Sequence, residues 1–190
     1  MAEPTVVLAS ASPRRAELLA LAGLAPVVRP VDVDEAPWHG EEPGAYVRRL
    51  ARAKARAADL ADGEVAVGAD TAVVLDGRVL GKPRDAGEAS GMLTRLSGRT
   101  HEVHSGVAVR GPGAVEDVVV RTSVTMVALA PPRIAAYVAS GEPFDKAGGY
   151  GIQGPAAAFV TRIEGSWTSV VGLPLAETLA LLEGTGVGLP

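Results

Sequence analysis

The stretch Val65-Ala-Val-Gly-Ala-Asp-Thr-Ala-Val-Val-Leu75 constrains the fold of this chain more than any other. It is short, rich in Val and almost wholly apolar, which reads as a buried strand rather than a helix. Asp76-Gly77 follows as a two-residue hairpin turn into Arg78-Val79-Leu80. One carboxylate, Asp70, interrupts the apolar run. Desolvating a carboxylate is costly unless a cation or a metal compensates. Asp70 is therefore a candidate metal ligand or general base; the plain alternative is an Asp at a strand end, bonded to local backbone. The hairpin folds Gly81-Lys82-Pro83 back toward Asp70, so Lys82 can set a point charge near that carboxylate or near a phosphate. The plain alternative there is a surface lysine.

The rest of the chain alternates short apolar runs with turn signals. Strands are expected at Thr5–Ala9, Val27–Val33, Thr100–Val109, Val115–Val127 and Ala156–Ile163, with a short one at Ser169–Val171. Helices are expected at Ala16–Ala22, after a Ser12 cap and Pro13, and at Pro43–Ala61. Three more are expected: one to Leu96 capped by Asp85, then Pro131–Ser140 and Pro174–Leu182. Residues 141–155 read as a Gly-rich loop. Strands and helices mixed without strict alternation predict an α/β fold on a mixed twisted sheet flanked by helices. At 190 residues the chain fits a single domain over 1–190, or two small lobes sharing a core.

Composition narrows the class. With no Cys, thiolate catalysis and Cys-type zinc sites drop out. A net charge of −4 argues against general nucleic-acid or membrane-surface binding, though a locally positive cleft can still take an anion. The opening residues lack a basic stretch, and no apolar run approaches the ~20 residues that span a bilayer, so the cytoplasm is the expected compartment. Among 18 basic residues only Lys54, Lys82 and Lys146 are lysines. A lysine kept in so Arg-biased a chain suggests a need for a compact ammonium.

Two further segments carry chemistry. In Ser10-Ala-Ser-Pro-Arg-Arg15, Arg14 and Arg15 fall in the first turn of a helix. Cations there oppose the helix dipole by roughly 0.3–1 kcal/mol each. A bound phosphate reverses that conflict, using the exposed N–H groups and the guanidinium forks; a solvated basic turn is the alternative. The segment Asp145-Lys-Ala-Gly-Gly-Tyr-Gly-Ile-Gln-Gly154 contains a literal G-x-G-x-x-G. No strand precedes it and Pro155 follows, so a dinucleotide fingerprint is rejected in favour of a loop whose backbone approaches a ligand. Gln153 there carries acceptor and donors that match the N3–H and O4 edge of uracil or thymine. His101 and His104, three apart on a strand, point to opposite faces and do not share a metal. Trp38 and Trp167 are read as packing or rim residues.

Taken in order, Leu8-Ala-Ser-Ala-Ser-Pro-Arg-Arg15, Gly68-Ala-Asp-Thr71, Lys82-Pro83, Leu96-Ser-Gly-Arg-Thr-His101 and Asp145-Lys-Ala-Gly148 through Gly154 resemble the Maf family. The resemblance implies an elongated two-lobed fold around a central cleft, commonly dimeric and similar to inosine triphosphatases. It implies cleavage of a nucleoside triphosphate between the α and β phosphates. By the same resemblance Asp70 is the proton acceptor, and Arg14, Thr71 and Gln153 relate to substrate choice. Glu35, Lys54 and Lys82 are the other polar cleft residues, with Ser10, Arg15 and Asp145 in matching motifs. The implied cofactor is Mg²⁺ or Mn²⁺ on Asp70 and Glu35. Tyr150-Gly-Ile-Gln153 resembles the branch acting on dTTP and UTP. Gly149 stands where that pattern has Ala and is expected to loosen the loop. The alternatives are a nucleotide-binding regulator of septum formation, or the same chemistry on methylated guanosine triphosphate.

Overall fold

A computed structural model of the chain describes residues 3–189. A mixed seven-stranded sheet forms its centre, with helices against both faces, as the mixed pattern of strands and helices predicts. Strands β1 (Thr5–Leu8), β2 (Val27–Val28) and β3 (Glu64–Leu75) run parallel in the order β2-β1-β3. The long β5 (Thr100–Arg110), β6 (Val115–Met126) and β7 (Val160–Glu164) continue the sheet antiparallel from β3. The hairpin strand β4 (Arg78–Leu80) pairs with the far end of β3 through its Asp76-Gly77 turn, where both residues have positive φ.

Because β5 covers one edge of β3 from Ala66 to Val74, β1 and β4 must share the other. β1 pairs as far as Val67 and β4 begins at Val73, so the edge between them is open. Asp70 lies at the middle of that gap.

Two apolar cores flank the gap. One joins Val65, Val67 and Ala69 of β3 to Leu18 and Leu19 of α1 (Pro13–Leu21) and Leu182 of α6 (Leu175–Glu183). The other joins Val73 and Leu75 of β3 to Leu93 and Leu96 of α3 (Ala86–Leu96), and to Ile134 and Tyr137 of α4 (Pro131–Ala139). Each core with the helices on it forms one lobe of the sheet, and β3, β5 and β6 run through both cores.

On the opposite face lies α2 (Pro43–Ala57), which buries Val47, Leu50, Ala51, Lys54 and Ala55, a helical stripe with one charge in it. This helix meets the sheet backbone to backbone. A β-carbon on Gly68 would sit 2.3 Å from the Ala51 carbonyl oxygen and 2.5 Å from the Ala55 nitrogen. One on Gly106, the partner of Asp70 in β5, would meet the Val47 carbonyl oxygen at 2.6 Å.

Several sequence expectations are corrected. The second strand stops at Val28 because Pro30 has no N–H to continue a ladder. The helix from Pro43 ends at Ala57, four residues early. Pro155–Phe159 is a 3₁₀ turn, and strand begins only at Val160. Trp167–Val171 is a short helix, α5, instead of a strand, started by Ser166 accepting from the Ser169 N–H. Ser12 holds the N-cap position of α1 without capping it through its side chain; its own N–H donates to Ser10 Oγ at 3.2 Å. Gly149 has φ +71, a region unfavourable to Ala, so it suits the loop it was expected to loosen.

Candidate active site

The gap in β3 opens into a cleft of about 600 Å³ between the lobes, within the usual range for a small-molecule site. Ser10, Arg14, Arg15, Glu35, Lys54, Asp70, Thr71, Lys82, Asp145 and Gln153 all line it. Ten sequence candidates from six separate stretches of chain thus meet in one place.

Asp70 and Thr71 are neighbours on a strand and point to opposite faces. Both reach the cleft because it wraps around the open edge. On the α2 face, Lys54 Nζ donates to Asp70 Oδ1 at 2.7 Å and lies 2.6 Å from Glu35 Oε1. Asp70 is buried, and desolvation lifts its carboxyl above the ordinary range despite the opposing charges of Lys54 and Arg15. Glu35 is half-exposed; burial pushes it up as well, but Lys54, Lys82 and Arg15 outweigh this and hold it low. Two carboxylates on one ammonium are thus driven apart in basicity, a pattern that marks Asp70 as the better proton acceptor.

On the other face, Thr71 Oγ1 meets Ser105 Oγ at 2.8 Å and donates to the Gly172 carbonyl at 3.3 Å. Arg15 donates to the same carbonyl from Nε and to Ser10 Oγ from Nη1, both at 2.9 Å. Burial pulls its guanidinium down, with Asp70 opposing. Arg14 reaches across the cleft mouth to Asp145 at 2.9 Å. Burial works to raise Asp145, and Lys146 and Arg14 overcome it, setting it at about 2.

Lys146 and Tyr46 belong to the site and were not among the sequence candidates. The Lys146 ammonium is held by Asp145 Oδ1 at 2.5 Å and by the Glu142 carbonyl at 2.8 Å. Its stem covers Gly151, whose missing side chain makes room for it. Tyr46 donates to the Glu35 carbonyl at 3.1 Å and so fixes a segment that has no ladder of its own. Their signal was present, since Lys146 is one of three lysines and Tyr46 precedes the buried stripe of α2.

The loop carrying Gln153 is anchored behind the site. Tyr150, buried, shares a 2.6 Å hydrogen bond with His101 Nε2. His104 instead faces α2 and pairs with Glu102 at 2.7 Å, so the two histidines share nothing. Burial depresses His101 from 6.5 to about 4. Above pH 6.5 this shift costs nothing, because the ring is neutral in both states. Between pH 6.5 and about 4 the unfolded chain binds a proton that the native ring refuses, so stability falls by about 3 kcal/mol. Denaturation at stepped pH should show that slope, and His101→Gln should flatten it; an unchanged slope would remove His101 as its source.

The metal implied by the resemblance has few protein donors here. No cluster of three or more His, Asp or Glu exists among the described residues. Glu35 and Asp70 supply two carboxylates at one point. That set does not build an all-protein cage, but it fits a hard dication that completes its shell with phosphate oxygens and water.

Trp38 is exposed, lies under the Arg49 guanidinium and does not line the cleft. Trp167 is also absent from the lining. No helix among the described residues is long and apolar enough to cross a membrane.

Relatives named dTTP/UTP pyrophosphatase include one from Anaeromyxobacter dehalogenans (strain 2CP-C), 56% identical over 98% of this chain and 97% of its own. Others come from Myxococcus xanthus (strain DK1622), 54% identical over 97% and 94%, and from Moorella thermoacetica, 54% over 96% and 95%. The family described as Maf-like protein matches residues 5–185, so the chain belongs to the Maf family.

Proposed function

We propose that this chain is a nucleoside triphosphate pyrophosphatase that hydrolyses dTTP and UTP to the monophosphate and pyrophosphate. The observation that carries the reading is a desolvated carboxylate, Asp70, facing a cleft on which basic side chains converge from separate elements. Relatives more than half identical bear that activity in their names.

In the proposed reaction Arg14, Arg15 and Lys82 hold the triphosphate, with Ser10 and Thr71 as hydroxyl partners. Asp70 accepts a proton from the water that attacks the α-phosphorus. The bond from that phosphorus to the bridging oxygen breaks, and its electron pair leaves with pyrophosphate. Positioning and charge neutralisation supply most of the acceleration in such a reaction. Mg²⁺ or Mn²⁺ on Asp70 and Glu35 would add charge neutralisation and acidify bound water. Gln153 reads the pyrimidine edge from the loop that Tyr150 anchors. A homodimer and the cytoplasm are proposed with the enzyme, on family resemblance; light scattering on the purified protein tests the first.

The test is pyrophosphate release from dTTP, UTP, CTP and methylguanosine triphosphate, with and without each metal. Release from dTTP and UTP is expected; release from methylguanosine triphosphate alone would move the chain to the other branch. Nucleotide binding without release would favour the regulator. Gln153→Glu should raise KM for UTP about 10- to 100-fold, since a carboxylate repels the O4 edge it must donate to. Unchanged selectivity would take base reading away from Gln153.

A further inference from the structure

A buried cation of the protein itself sits between the two acids of the cleft. Lys54 Nζ lies 2.6 Å from Glu35 Oε1 and 2.7 Å from Asp70 Oδ1, and its side chain is only 10% exposed. These are the two carboxylates that fit a dication. An ammonium at that point satisfies the same oxygens at a distance about 0.6 Å longer than Mg²⁺ would. We infer that Lys54 is a resident stand-in for the metal: it holds the acid pair in register while the cleft is empty, and is displaced toward the phosphates when a dication arrives. This rests on the proposed reading of the site as a metal-assisted triphosphate cleft, and adds an exchange of cations between protein and substrate.

Three observations lead there. First, Lys54 lies on the buried stripe of α2 among Val47, Leu50, Ala51 and Ala55, where an unpaired charge is not tolerated. Second, Glu35 comes from a segment without helix or ladder, positioned by the Tyr46 hydroxyl and by Lys54. Without a cation between them, Glu35 and Asp70 would repel and Glu35 would swing out. Third, a dication and an ammonium cannot share two oxygens at contact distance, because like charges so close repel strongly in a partly desolvated site. The lysine has a flexible four-carbon stem and three donors, so it can leave where an Arg fork would be blocked. It lines the open cleft, and Arg15 and Lys82 line the same cleft. Arrival of the metal with its nucleotide thereby adds one positive charge to the phosphate side.

The test is Mn²⁺ binding to the nucleotide-free protein, by calorimetry and by the electron paramagnetic signal of free Mn²⁺. Lys54→Met keeps the stem and removes the competitor; the dication then draws in the two acids that the ammonium had held, so Mn²⁺ should bind at least about tenfold more tightly than to wild type. Lys54→Arg keeps a cation and should not tighten binding. Equal or weaker Mn²⁺ binding by a folded Lys54→Met protein overturns the exchange. A second measurement uses the unaltered sequence. Its three lysines give three signals in protein labelled with ¹³C at lysine Cε. Mg²⁺ should move the Lys54 signal while Lys146, paired elsewhere, stays; an unmoved Lys54 signal at saturating Mg²⁺ overturns it as well. Pyrophosphate release from UTP, followed on the same wild-type preparation, separates the two ideas. No release with tighter Mn²⁺ binding in Lys54→Met sinks the reaction and keeps the exchange, and the converse result does the reverse.

Discussion

Asp70→Asn should lower kcat for pyrophosphate release by roughly three orders of magnitude while leaving the protein folded. The amide matches the carboxylate in size and fills the same gap in β3. It cannot accept the proton of the attacking water and offers no anionic oxygen. Stability should change little, because burial already raises the Asp70 carboxyl above its ordinary range, so its charge contributes little net. Lys54 keeps Glu35 as a partner at 2.6 Å, so no buried cation is stranded. Steady-state kinetics on UTP with a thermal melt checks both halves. A kcat within about tenfold of wild type would remove Asp70 from the proton-accepting role.

Gly68→Ala should be the most damaging small change to the fold. The added carbon meets two backbone atoms of α2 at 2.3 and 2.5 Å, and neither can rotate away as a side chain would. The helix must therefore lift, at a cost of about 3 kcal/mol, which for a chain of this size lowers Tm by about 10 °C. Activity should fall further than stability accounts for. Lys54 rides on α2 and Asp70 lies two residues from Gly68, so the lift separates them, and a 1 Å misplacement can cost about 100-fold in rate. Gly91, in α3 with nothing within 4 Å, is the matched control for the same substitution. A Gly68→Ala melt that matches wild type would disprove the backbone contact.

What could be read without coordinates followed from local rules. The strand of Asp70, its Asp76-Gly77 turn and the Asp85 cap depend on neighbours in sequence, and each is where those rules put it. The role of Gly68 was not legible, because the reason for it is a helix seventeen and thirteen residues earlier, at Ala51 and Ala55. Lys54 was read as a polar cleft residue, and nothing local showed that it holds two carboxylates. Glu35 lies in a stretch whose position depends on Tyr46, eleven residues on. The short helix at Trp167 was misread because Thr168, Val170 and Val171 favour strands, and the Ser166 cap decided against them. Long-range contact and a single cap account for most of what local pattern missed.

The unbroken course of β3, β5 and β6 through both lobes has a mechanical consequence. A clamshell enzyme opens by bending at thin linkers, and here the two halves are joined by a stiff corrugated plate. Spreading it would break the ladders that join β3 to β5 and β5 to β6 along their whole length. Traffic into the cleft is therefore left to its rim, where the exposed Arg14–Asp145 tie crosses the mouth. The floor on which chemistry occurs is thereby held still.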